Sequence, residues 1–181
     1  KMFDAIFLDR DGTISHDIYG YINSLSDYNF FDYTFEALEI LNKYTDKFVI
    51  VTNQSGLASG KIDLENLEEI NSFIYQEFDK RDLPLKKIYF AENYDESYQS
   101  MRKPGIGMFA KAKEEFDIDL SKSLMIGDSV VDMQVGDRLG MKTIFLLTGM
   151  GKDYLDEVKS KCKANLISNN LLEAAKDIVL I

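Results

Sequence analysis

Ala5-Ile6-Phe7-Leu8 runs directly into Asp9-Arg10-Asp11-Gly12-Thr13-Ile14. Four apolar residues without alternation read as a strand covered on both faces, the kind that parallel sheets contain. Similar short runs recur at Phe48-Val49-Ile50-Val51, Ile88-Tyr89-Phe90, Leu124-Met125-Ile126 and Thr143 to Leu147. Between them lie apolar stripes at helical spacing: Phe35/Leu38/Leu41, Leu67/Ile70/Ile74/Phe78, Phe109/Ala112/Phe116 and Val131/Val135/Leu139. Leu171, Leu172, Ala175 and Ile178 suggest a last helix, and the charged stretch around Cys162 reads as helical too. Gly140 suits the position just past the fourth stripe, and Asp63 or Ser121 could open new elements. Strand and helix in alternation predict a three-layer, doubly wound, Rossmann-like parallel sheet with helices on both faces. With no repeat, linker or low-complexity segment, residues 1–181 are expected to form a single α/β domain.

Ligands of such sheets bind beyond the carboxyl ends of the strands. Strand positions alone therefore select Asp9 to Thr13, Thr52-Asn53-Gln54-Ser55-Gly56, the loop leading to Arg102-Lys103-Pro104, and Gly127-Asp128-Ser129. Asp9 would point from the strand end into the crevice, and the turn permitted by Gly12 would bring Asp11 to the same side. One carboxylate can attack phosphorus while the other manages the proton on the leaving oxygen. Two anions beside an anionic substrate need a hard cation, and carboxylate oxygens suit magnesium. Asp128 offers another oxygen, with Asp132 one helical turn further on as a supporting group. Thr52 and Lys103 supply donors for the oxygens of a transferring phosphoryl group, and Arg102 a planar fork for phosphate or hydroxyls. Each motif alone is a common turn or polar loop; their order, after separate strands of one sheet, is what carries the reading.

Composition narrows the partners. The chain is 45% apolar and 29% charged, with 21 basic and 31 acidic residues giving a net charge of −10. That balance repels nucleic acid and demands a cation wherever phosphate is bound. No apolar run approaches the roughly 20 residues that span a bilayer, so no membrane association is expected. Cys162 and His16 are the only residues of their types, which excludes an internal disulfide and multi-cysteine metal sites. The first strand begins within a few residues of Lys1, leaving no room for a leader, so a cytoplasmic protein is expected, and a monomer. His16 reads as a surface residue and Cys162 receives no role.

At these residues the chain resembles the haloacid dehalogenase superfamily of aspartate-nucleophile phosphatases, over about residues 4–150. More narrowly, it is similar to the D-glycero-D-manno-heptose 1,7-bisphosphate phosphatases and the related histidinol-phosphate phosphatases. Asp9-Arg10-Asp11-Gly12-Thr13-Ile14 opens both groups, whereas Thr52-Asn53-Gln54-Ser55-Gly56, and Arg102-Lys103-Pro104 followed by Gly107-Met108, favour the heptose side. The resemblance implies Asp9 as nucleophile, Asp11 as general acid/base, and Thr52 and Lys103 as phosphoryl stabilisers. It implies magnesium held by the Asp9 carboxylate, the Asp11 backbone carbonyl and Asp128. Arg102, Asn53, Gln54, Ser55 and the Asp17-to-Tyr21 stretch, with Gly20, would contact substrate. The implied reaction removes the 7-phosphate of a heptose bisphosphate that is a lipopolysaccharide precursor. The intervals between motifs are too short for a large cap domain, so loops should cover the site, chiefly the segment after Asp11 and Glu92 to Met101.

Two departures stand out. The zinc-loop ligands of the family correspond to about Ala91, Asn93, Gln99 and Met101, none of which can replace a thiolate or imidazole, so no structural zinc is expected. The loop is then held by packing and hydrogen bonds, with Tyr94 and Tyr98 as candidates. Ser129 stands where the heptose enzymes usually have lysine. Histidinol phosphate is the second substrate choice; a polynucleotide 3′-phosphatase fits the acidic balance poorly. A phospho-acceptor or binding module of similar fold also places carboxylates at strand ends, but would not need Asp11.

Overall fold

Alternate residues of each strand face opposite layers, and the two layers have different partners. Ile6, Leu8, Phe48, Ile50, Ile88, Leu124, Ile126, Ile144 and Leu146 pack on one side, and Ala5, Phe7, Val49, Val51, Tyr89, Ala91 and Met125 on the other. The computed structural model describes residues 1–181 except Tyr19. Its six strands are β1 (Ile6–Leu8), β2 (Phe48–Asn53), β3 (Leu85–Ala91), β4 (Leu124–Gly127), β5 (Lys142–Leu146) and β6 (Leu166–Ser168). All pair in parallel, in the order β3-β2-β1-β4-β5-β6. The helices are α1 (Thr34–Leu41), α2 (Leu64–Asp79), α3 (Gly107–Phe116), α4 (Val130–Arg138), α5 (Gly151–Lys161) and α6 (Leu171–Asp177). Residues of α1, α2 and α6 cover the first face, and those of α3, α4 and α5 the second. The chain winds outward from β1 in one direction, then returns to β4 and winds in the other. Its topological switch lies between β1 and β4, which is where such sheets open a crevice.

Local chemistry accounts for the helix ends. Asp63 stands at the N-cap position of α2 without a side-chain bond to the helix N–H groups, and its own N–H is held by Asn23 Oδ1 at 2.8 Å. Ser121 opens nothing: it lies in a short 3-10 turn whose cap is Asp119. Gly140 takes φ +67° after α4, and the Met141 N–H reaches the Gly136 carbonyl at 3.0 Å, closing a Schellman turn. The inward face of α4 is not the expected Val131/Val135/Leu139 stripe. Val130, Asp132, Met133, Val135 and Gly136 are buried, and Val131 turns instead toward the crevice. Asp132, hidden in that face, was invisible to an apolar stripe.

Sequence periodicity missed β6, a three-residue edge strand with one buried side chain. It also undersized β3, whose Lys86 and Lys87 lie on the sheet edge. Among the described residues no structured insertion separates the motifs, and no helix is long and apolar enough to cross a membrane.

Candidate active site

Lys103 is the hub of the crevice. It is 2% exposed, and its ammonium donates to Asp9 Oδ1 at 2.9 Å, Asp132 Oδ1 at 2.6 Å and the Val51 carbonyl at 2.8 Å. Those three bonds use all the protons that a lysine has. Burial works against its charge, but Asp132 and Asp9 outweigh burial and raise its pKa. Asp132 is fully buried, and burial, then the charge of Asp9, push its carboxyl up to about 6 against the pull of Lys103. Its second oxygen accepts from the Ser129 N–H and hydroxyl, at 3.2 and 3.1 Å. Ser129 thus ties the first turn of α4 to Asp132, which occupies its hydroxyl and leaves the cleft without a cation at that position.

Around the first-strand loop, Arg10 is buried and grips Asp11 with two parallel bonds of 2.9 Å. Burial opposes the guanidinium charge, and Asp11 more than compensates. Gln54 Nε2 donates to Asp11 Oδ2 at 3.3 Å and to Thr52 Oγ1 at 2.9 Å. Since Thr52 accepts there, its own proton is free to face the crevice. Asn53 is occupied at both ends: its amide donates to the Lys103 carbonyl at 3.1 Å and accepts from the Lys103 N–H at 2.9 Å. Besides bordering the cleft, where it was expected to contact substrate, it locks Lys103 to the end of β2.

Asp128 closes the other side. Burial first, then the charges of Asp9 and Asp132, raise its carboxyl well above the usual range, while the Met150 N–H, 2.9 Å from Oδ2, pulls the other way. A Cβ on Gly12, at φ +84°, or on Gly149, at φ +54°, would collide with that carboxylate. Thr148 Oγ1 donates to the Gly12 carbonyl at 2.6 Å, binding the β5–α5 loop to the β1 loop. Gly12→Ala is therefore expected to displace Asp128 and weaken divalent-cation affinity by about 10–100-fold, measurable by calorimetric titration. Unchanged affinity would separate Asp128 from cation binding.

Together these groups line an open cleft of about 420 Å³. Asp9, Asp11, Asp17, Gly20, Tyr21, Thr52, Asn53, Gln54, Ser55, Arg102, Lys103 and Asp128 all border it, while Asp132 lies behind Lys103. In the Asp17–Tyr21 stretch, Tyr19 lies outside the described residues. Partial desolvation, with Asp11 and Asp9 nearby, raises Asp17. The Glu92–Met101 loop does not line the cleft, contrary to expectation; Val131, Met150 and Tyr154 complete its lining. Met150 and Tyr154 follow β5, the one long strand whose carboxyl end the sequence reading did not inspect. His16 is exposed, lies tilted against Phe31 with ring centroids 4.3 Å apart, and does not border the cleft. Cys162, half-buried at the end of α5, has its thiol raised by burial and stands apart from the site.

The donor set fits a hard divalent cation. Oxygens of Asp9, Asp128 and Asp132 lie within 4.8 Å of one another. Three carboxylates against the single Lys103 ammonium leave two negative charges in a largely buried space. With Asp132 committed to Lys103 and Ser129, Asp9 and Asp128 have the oxygens that remain for a cation.

Comparison with known proteins agrees with this geometry. Residues 100–174 match the HAD-hydrolase-like family model. The chain is 37% identical over 183 residues to the D-glycero-beta-D-manno-heptose-1,7-bisphosphate 7-phosphatase of Photorhabdus laumondii, covering 96% of this chain and 94% of that protein. It is 36% identical over 149 residues to the D-glycero-alpha-D-manno-heptose-1,7-bisphosphate 7-phosphatase of Campylobacter jejuni, covering 82% and 85%. The crystal structure of D,D-heptose 1,7-bisphosphate phosphatase from B. bronchiseptica, complexed with magnesium and phosphate, superposes with a TM-score of 0.85. That likeness, at 24% identity and 98% coverage of both chains, is one of fold. Identity above 30% along nearly the whole of a relative, on a sheet that gathers the aspartates, threonine and lysine of the motifs at its switch point, makes this chain a member of the haloacid dehalogenase-type phosphatases, within the heptose-1,7-bisphosphate 7-phosphatase family.

Proposed function

We propose that this chain removes the 7-phosphate of D-glycero-D-manno-heptose 1,7-bisphosphate through an aspartyl-phosphate on Asp9. The observation that carries the reading is Asp9 itself: a carboxylate lining an open cleft, bonded to Lys103 and within 4.8 Å of the carboxyl oxygens of Asp128 and Asp132. The Asp9 carboxylate attacks phosphorus in line, and the bond from phosphorus to the sugar oxygen breaks. Asp11, beside it on the cleft wall, gives that oxygen a proton and later takes one from the water that hydrolyses the acyl phosphate. Thr52 donates to an equatorial oxygen, and the Lys103 proton now directed at Asp9 faces the same group. When bound, magnesium supplies the positive charge that lets two anions approach, with Asp9, the Asp11 carbonyl and Asp128 to hold it. Arg102, which lines the cleft, would receive the distal part of the sugar phosphate.

The substrate follows the relatives, which act on either anomer by their names. The test is phosphate release from both heptose bisphosphate anomers, histidinol phosphate and fructose bisphosphate, with magnesium and with chelator. Magnesium-dependent turnover with the highest kcat/KM on a heptose bisphosphate is expected. Preference for histidinol phosphate would remove the sugar assignment, and silence on every substrate would remove the reaction.

A further inference from the structure

The loop Glu92 to Met101 stands outside the cleft, yet it reaches the two arginines that flank Lys103-Pro104. The Arg102 guanidinium lies over the Tyr94 ring at 5.3 Å. Arg138, which donates to the Pro104 carbonyl at 2.6 Å, lies over Tyr98 at 5.5 Å. The rest of the loop is held by short polar links: the Ser100 hydroxyl to the Asp95 and Arg102 carbonyls at 2.9 and 3.2 Å, and the Ile106 N–H to the Tyr98 carbonyl at 2.8 Å. Tyr94 is about half exposed, so core packing does not explain it.

Arg102 lines the cleft and Tyr94 does not, so the ring meets a cleft residue from outside the cleft. A long arginine at a rim samples many rotamers unless a face or a fork fixes it. The stack supplies the face, and one Arg102 Nη is buried without a partner among the described residues.

We propose that Tyr94 is a positioning residue for substrate selection, its ring holding Arg102 in the arrangement that receives the part of a sugar bisphosphate farthest from Asp9. This rests on the phosphatase reading above. Its consequence is a split between substrates that possess that distal part and those that lack it.

The experiment compares Tyr94→Leu and Tyr94→Phe with wild type, using heptose bisphosphate and p-nitrophenyl phosphate, both with magnesium. Tyr94→Leu is expected to raise KM for the bisphosphate about three- to tenfold, leaving its kcat and both constants for the aryl phosphate within about twofold. Tyr94→Phe, which keeps the ring over Arg102, is expected to stay within about twofold of wild type on both substrates. In an Arg102→Ala background, Tyr94→Leu should add little. Equal losses on both substrates, or no change on either, in Tyr94→Leu would overturn the proposal. Wild type that cleaves only the aryl phosphate would remove the substrate reading and this inference together. Wild type that selects the bisphosphate, with Tyr94→Leu equally selective, would remove this inference alone.

Discussion

Replacing Asp9 with asparagine is expected to cut turnover of any phosphate monoester by about 10⁴–10⁶-fold while leaving the protein folded. An amide has the shape of the carboxylate but neither its charge nor its nucleophilic oxygen, so no acyl phosphate forms. Stability should move the other way. Asp9 is one of three carboxylates sharing a small space with a single ammonium, and its charge, after burial, helps to raise the pKa of both Asp128 and Asp132. Its charge also pairs with Lys103, but that ammonium keeps the shorter bond to Asp132 and the Val51 carbonyl. In chelator, Asp9→Asn should therefore melt at or above the wild-type temperature, a trade of stability for function that reactive sites often show. The checks are single-turnover assays and calorimetric melting of the metal-free proteins. Retention of even a hundredth of wild-type turnover would place the nucleophile elsewhere.

The fold was legible wherever burial on both faces leaves an uninterrupted apolar run. β1, β2 and β4, the three central strands around the switch point, are such runs, and their ends could be inspected for function before any coordinates. β6 was not legible because an edge strand of three residues with one buried side chain has no pattern to display. Asp132 illustrates a different limit. It occupies the buried face of α4 because Lys103, from the loop between β3 and α3, neutralises it, and hydrophobic periodicity has no symbol for a paired charge. The same holds for Asn53. Its residue type suits a substrate contact, but only the fold reveals that both ends of its amide are spent on the Lys103 backbone.

Residues that meet in the cleft were legible where chemistry follows a strand, as in Asp9, Asp11, Thr52 and Asp128, and, beyond a longer loop, Lys103. The missed wall of Val131, Met150 and Tyr154 carries little chemistry of its own, and shape rather than reactivity recruits it. The Glu92–Met101 loop shows the reverse error. Its tyrosines were candidates for holding the loop, and they do meet arginines, but the loop buttresses the cleft instead of covering it. A departure from a resembling family identifies which residues changed without locating what the replacements touch.

Replacing Lys103 with methionine should damage both properties that the Asp9 variant separates. Turnover is lost because a phosphoryl donor is gone, and Asp132 is left fully buried with Ser129 as its remaining partner. Removing one partner of a buried pair costs about 3–5 kcal/mol, or roughly 6–20 °C of melting temperature for a domain of this size. The loss should depend on pH. Asp132 is already raised to about 6 with Lys103 beside it, so without the ammonium its folded pKa lies higher, above the unfolded value near 3.9. A carboxyl raised in the folded state binds its proton more tightly there, and the resulting penalty is absent at low pH and grows as pH rises. The variant should therefore lie closer to wild type at pH 5 than at pH 8, measured in chelator. Adding Asp132→Asn, which removes the stranded charge and keeps the bonds to Ser129, should recover most of the melting temperature and none of the activity. If Lys103→Met melts within a degree or two of wild type, or the double variant recovers nothing, the lysine is not what holds Asp132 in the core of α4. The placement of catalytic chemistry on a buried, self-neutralising pair would then need another explanation.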